Sequence, residues 1–145
     1  MDDDTHDFLT QVYNQELIAL SEQAAKARHL PQPDLAAWAV NPICGSKVKI
    51  ELMLKDGRVT DFGYEIEACA LTKTVVAVMR KSILGKTRED IATAGATLQT
   101  MLDGGMTPVG DWADLKILAP VAAYPARYNA LLLPFEAVEK AFARR

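Results

Sequence analysis

Val48, Ile50, Leu52 and Leu54 recur at every second position in the middle of the chain, and Phe62, Tyr64 and Ile66 do so again after Asp56-Gly57. Period-two alternation on both sides of turn chemistry predicts a β-hairpin. The alternation also chooses the register. A two-residue loop at Asp56-Gly57 would set Phe62 opposite Glu51 and put the two apolar sets on different faces. A three-residue loop, Asp56-Gly57-Arg58, pairs Leu52 with Phe62, Ile50 with Tyr64 and Val48 with Ile66. It also sets Lys49 opposite Glu65 and Lys47 opposite Glu67, so both faces favour the longer loop with a bulge at the turn.

Elsewhere the apolar spacing is helical. Leu9, Tyr13, Leu17, Leu20, Ala24 and Ala27 mark one face of a helix over Asp7 to Ala27, ended by His29-Leu30-Pro31-Gln32-Pro33. Ala70 to Leu84 carries Leu71, Val75, Val78, Met79 and Ile83 before Gly85. Thr87-Arg88-Glu89-Asp90 reads as a capping box opening a helix with Ile91, Ala94, Leu98 and Met101, which Asp103-Gly104-Gly105 stops. Met106 to Tyr124 reads as a loop with a short turn near Asp111 to Leu115. From about Ala126 a last helix presents Leu131, Phe135, Val138 and Phe142, with a kink or fresh start at Pro134. Trp38 and Trp112 fall on predicted loops.

Composition narrows the class. The chain has 145 residues, 50% of them hydrophobic, and a formal charge of −3. That is the size of one domain, spanning 1–145, with enough apolar surface to fold without a metal or disulfide. No apolar run approaches the roughly 20 residues that span a bilayer. The acidic opening Met1-Asp2-Asp3-Asp4 differs from the basic start of a secretory signal. Net acidity argues against a nucleic-acid binder. Two cysteines make no disulfide framework, so a reducing cytoplasm is the expected compartment.

Chemistry-bearing residues are few. The sequence has no glycine-rich phosphate loop, and His6 and His29 have no neighbours at metal-ligand spacing, so both read as surface histidines. Cys44 lies in a turn before the first strand of the hairpin and Cys69 opens the helix after the second. The outer strand ends lie together, so the two thiols are expected to approach, with Cys69 at a helix N-terminus that favours thiolate. The plainer reading, that each is a small buried hydrophobe, stands beside this one.

Asn41-Pro42-Ile43-Cys44-Gly45-Ser46, the hairpin, Ala68-Cys69-Ala70-Leu71-Thr72, Ile83-Leu84-Gly85-Lys86 and Tyr124-Pro125-Ala126-Arg127 together resemble the U-type iron–sulfur cluster scaffold family (SufU, IscU and the N-terminal domain of NifU), the SufU branch above all. The resemblance implies an α+β fold, a small antiparallel β-sheet packed against several helices. It also implies zinc, iron or a [2Fe–2S] cluster held by three cysteines and an aspartate, and sulfur received from a cysteine desulfurase. Carried over, the cofactor-binding and metal positions are Cys44 and Cys69, and Cys44 is the candidate sulfur acceptor. The aspartate position is Ser46, the third cysteine position is Ala130, and Ala68 stands where glycine is usual. Half of the ligand set is thus replaced.

The expectation is therefore a divergent iron–sulfur assembly scaffold or sulfur carrier, with no turnover chemistry of its own. It would be cytoplasmic, would partner a cysteine desulfurase and iron–sulfur assembly proteins, and would engage neither nucleic acid nor membrane. Its cofactor is an iron–sulfur cluster, iron or zinc, or none because the ligand set is incomplete. The alternative is a non-metal-binding adaptor or regulatory paralogue of the same fold; a weaker third reading is a redox protein using a Cys44–Cys69 disulfide. Arg127 is weighed as a ligand for an anionic persulfide or a plain surface residue, and Lys47, Lys49 and Lys73 as a docking patch or a solvated face.

Overall fold

The computed structural model describes residues 12–144. In chain order these form α1 (Gln15–Gln23), β1 (Leu35–Val40), β2 (Lys47–Lys55), β3 (Arg58–Glu67), α2 (Ala70–Ser82) and α3 (Arg88–Leu102). Two 3-10 stretches, Gly110–Ala123 and Pro125–Arg127, then lead into α4 (Tyr128–Ala143). The sheet is antiparallel with order β1-β2-β3, and the helices cover one of its faces, so the expected α+β architecture is present. Val48, Ile50, Leu52, Phe62 and Tyr64 point into the same buried cluster as Leu71, Val75, Leu98, Leu131 and Val138.

The register matches the alternation: Leu52 pairs with Phe62, Ile50 with Tyr64, Val48 with Ile66, Lys49 with Glu65 and Lys47 with Glu67. The turn does not match. Asp56 (φ 53°) and Gly57 (φ 77°) both take left-handed backbone, the signature of a two-residue hairpin loop, so Lys55 already pairs with Arg58. Thr60 is the extra residue, because Leu54 faces Val59 and Met53 faces Asp61. The bulge therefore lies inside β3 rather than in the loop.

Several boundaries are corrected. The first helix stops at Gln23 rather than Ala27, because Arg28 leaves it to exchange backbone hydrogen bonds with Tyr64 (2.9 and 2.7 Å). Its expected start, with Leu9, and His6 lie outside the described residues. Leu35–Val40, expected as loop, is a strand, and Trp38 is on it. The expected loop over Met106 to Tyr124 is mostly 3-10 helix, with Trp112 buried against Phe135 at 5.7 Å. α2 and α3 end and begin near the expected places, with the Thr87–Asp90 capping box formed.

Pro134 does not break α4, which runs on through it. Proline has no amide, so the carbonyl four residues earlier, that of Ala130, loses its helical partner. The Thr72 hydroxyl donates to that carbonyl instead, at 2.8 Å. One side chain of α2 thereby mends the helix of α4 and joins the two.

The other face of the sheet is wet except around Glu51, which is only 3% exposed. The connector from α1 folds over it. Leu30 N–H donates to Glu51 at 2.7 Å, His29 Nδ1 lies 3.1 Å from the same carboxylate, and Lys49 stands 3.2 Å away. His29 Nε2 is 3.1 Å from Glu65, so this histidine spans two strands. Lys49, although opposite Glu65 in register, turns its ammonium to Glu51. Burial alone would push Glu51 up, but the Leu30 amide, His29 and Lys49 outweigh it and hold the carboxyl below the usual range. Gly63 makes the room: a Cβ there would lie 2.7 Å from the Arg28 carbonyl and 2.8 Å from Glu51.

Candidate functional site

Cys44 sits in the loop between β1 and β2, and Asn41 shapes that loop. Its side chain accepts from Ile43 N–H (3.0 Å), its carbonyl from Gly45 N–H (2.8 Å), and its own amide donates to Ser46 O (2.8 Å). Gly45 turns the chain with φ +77°, which suits glycine. The turn leaves Cys44 exposed, beside an Ile43 that is 91% exposed. The Cys44 thiol donates to Ser46 Oγ at 3.1 Å. The Ser46 hydroxyl first, and its backbone amide second, hold the thiol below its ordinary pKa, since both steady a thiolate.

Cys69 is placed by the other end of the hairpin. It follows β3 by two residues and is the N-cap of α2, half-buried and with no side-chain cap bond. Its sulfur is 3.8 Å from Thr72 Oγ1, the hydroxyl that serves the Ala130 carbonyl. Tyr13 lies within electrostatic reach: burial mainly, then the Cys69 charge, raise its phenol, while Arg127 works against them.

The pairing of Lys47 with Glu67 means that both cysteines leave the hairpin at one end. The residues just before Cys44 and the Thr72 beside Cys69 also meet one stretch of α4. Pro42 and Ile43 face Asn129, Leu132 and Leu133 across a groove, while Ala130 between them is tied to Thr72. Both thiols are free. The residues at the positions the resemblance implies for the other ligands do other work. Ser46 Oγ is engaged with Cys44, and Ala130 offers only a carbonyl already taken by Thr72. Among the described residues no group of three or more His, Cys, Asp or Glu could hold a metal ion. A closed four-ligand shell does not fit this arrangement.

Of the remaining sequence candidates, Lys47 pairs with Glu67 (3.1 Å) and lies over the Trp38 ring, and Lys49 belongs to the Glu51 cluster. Of the Thr72–Ala130 bond the sequence carries one signal, Pro134 four residues after Ala130.

A crystal structure of a nitrogen-fixing NifU-like protein (N-terminal) from Brucella abortus has a TM-score of 0.88 to this chain at 33% identity, over 94% of this chain and 96% of that one. The structure of a protein described as an iron–sulfur cluster assembly scaffold for the SUF system, from Fervidobacterium islandicum AW-1, has a TM-score of 0.81 at 21% identity, over 90% and 96%, and speaks for the fold. The zinc-dependent sulfurtransferase SufU of Bacillus subtilis (strain 168) is 28% identical over 105 residues, 72% of this chain and 71% of the relative. No family profile matches the chain.

Proposed function

This chain belongs to the U-type iron–sulfur cluster assembly scaffold family, with SufU, IscU and NifU-like proteins, and from that premise we propose that it carries sulfur, accepted on Cys44 from a cysteine desulfurase. The observation that carries the reading is the exposed Cys44 thiol with Ser46 against it. Thiolate, not thiol, is the nucleophile. Cys44 would attack the outer sulfur of the donor's persulfide, the donor cysteine would leave as thiolate, and the Ser46 hydroxyl and amide would steady the anion beforehand. No step runs through zinc, iron or a cluster, because Cys44 and Cys69 are two ligands where four are needed. The partners are a cysteine desulfurase and iron–sulfur assembly proteins of the cytoplasm, with no role for nucleic acid or membrane. Among the described residues no helix is long and apolar enough to cross a membrane.

The test is sulfur transfer from a desulfurase supplied with cysteine, read by intact mass after alkylation. The expected result is one added sulfur on Cys44 at early times, absent in Cys44→Ser and retained in Cys69→Ser. A Cys44 that takes no sulfur in Cys69→Ser beside an active desulfurase would sink the reading. The replaced donors at Ser46 and Ala130 favour a second reading, a non-metal-binding adaptor. That reading requires Cys44→Ser to bind and regulate the desulfurase as the parent does.

A further inference from the structure

The two cysteines differ in access and share a neighbour. Cys44 is exposed on its loop, whereas Cys69 is half-buried and fixed at the start of α2. The Thr72 hydroxyl near Cys69 Sγ grips α4 at Ala130, and the loop that presents Cys44 lines a groove with Asn129, Leu132 and Leu133 of the same helix turn. The more exposed thiol is the one a protein donor meets first, and the half-buried one is the less accessible of the pair. No third thiol competes, since position 130 is alanine, and no carboxylate stands at position 46.

We propose that Cys69 is the resolving thiol for sulfur held on Cys44. The proposal rests on the reading of Cys44 as acceptor. Cys69 attacks the inner sulfur of the Cys44 persulfide, the Sγ–S bond breaks, and a Cys44–Cys69 disulfide forms as the outer sulfur leaves. The leaving atom takes the bonding pair and the Cys69 proton and departs as hydrogen sulfide. One persulfide and one thiol give one disulfide and one sulfide, so the two cysteines together supply the two electrons that reduce the carried sulfur. A small-molecule or protein dithiol restores the pair by exchange. The Cys44 loop closes toward α2 in this step, because a disulfide needs alpha carbons within about 7 Å.

The probe is inorganic polysulfide, added anaerobically to the full chain, with intact mass, peptide mapping and released sulfide followed over time. The parent should take sulfur on Cys44, release sulfide and end as the Cys44–Cys69 disulfide. In Cys69→Ser the persulfide should last about tenfold longer or more, with no disulfide. Cys69→Ala must behave alike, which separates loss of the thiol from any effect of serine at a helix N-cap. Persulfide on Cys44 that lasts equally long in parent and variants overturns the resolving role and leaves the acceptor reading intact. Sulfur found on Cys69, with uptake unchanged in Cys44→Ser, overturns both.

Discussion

At the scale of single residues, a hydroxyl at position 46, where the family resemblance implies a carboxylate, sets what the neighbour of Cys44 does. A carboxylate would repel the thiolate and join it only around a cation; a hydroxyl donates to it directly. Ser46→Ala should therefore move the pH profile of Cys44 alkylation to higher pH and slow the reaction near neutrality by about two- to tenfold. Ser46→Asp should do the same by repulsion. Superimposable profiles would show that the 3.1 Å contact does not govern the thiol. The resemblance also sets two of the missing ligands at this position and at Ala130, which makes metal retention testable. The parent should yield zinc to a chelator, and so should Ser46→Asp and Ala130→Cys alone, because each leaves an open ligand position. The double variant should hold zinc. A parent that withstands a strong chelator would show that other ligands complete the shell.

Between elements, the Thr72 hydroxyl replaces an amide that Pro134 cannot provide, and this makes a coupling testable. Thr72→Val should cost about 1–3 kcal/mol in a denaturant melt, since it strands a carbonyl. In a Pro134→Ala background the helix regains its own donor, so the same change should cost distinctly less. Equal losses in both backgrounds would mean that the bond does no mending. The sequence reveals this kind of contact poorly, because Thr72 and Ala130 are 58 positions apart. What it reveals well is local: β2 and β3 alternate strictly enough to fix their pairing. β1 is not legible because Leu-Ala-Ala-Trp-Ala-Val lacks alternating polar residues, nor is the 3-10 stretch, because its apolar run follows neither period. The turn that carries Cys44 and the ordered family motifs are legible, whereas the contact of Cys44 with Ser46 is not, because a serine at that position reads first as a lost ligand. Glu51 is not, since alternation assigns it to the wet face and only the distant connector buries it.

Over the whole molecule, Glu51 couples stability to acid. Its folded-state pKa is depressed, so its contribution is fully present above the unfolded value of about 4.3 and is lost as pH falls through the lower folded value. Asp61 acts in the same direction, held low by the Phe62 amide first and then by Arg28. Denaturant melts of the parent between about pH 3 and 7 should show stability falling at the acid end. Glu51→Gln should flatten that fall while lowering stability at neutral pH. An unchanged acid slope would mean that the carboxylate is no better off folded than unfolded.

The residues that cover β3 also protect its outer edge from pairing with another strand. The outer edge of β3 is occupied at Tyr64 by Arg28, in both directions, and at Val59 by the Lys86 carbonyl and the Gly85 amide. An unpaired strand edge is a template for intermolecular pairing and fibril growth. Here backbone from two separate parts of the chain caps that template near either end. The Glu51 cluster, which fastens the residues beside Arg28, therefore protects against aggregation as well as unfolding, and a substitution at Gly63 that lifts the connector would expose a strand able to recruit another.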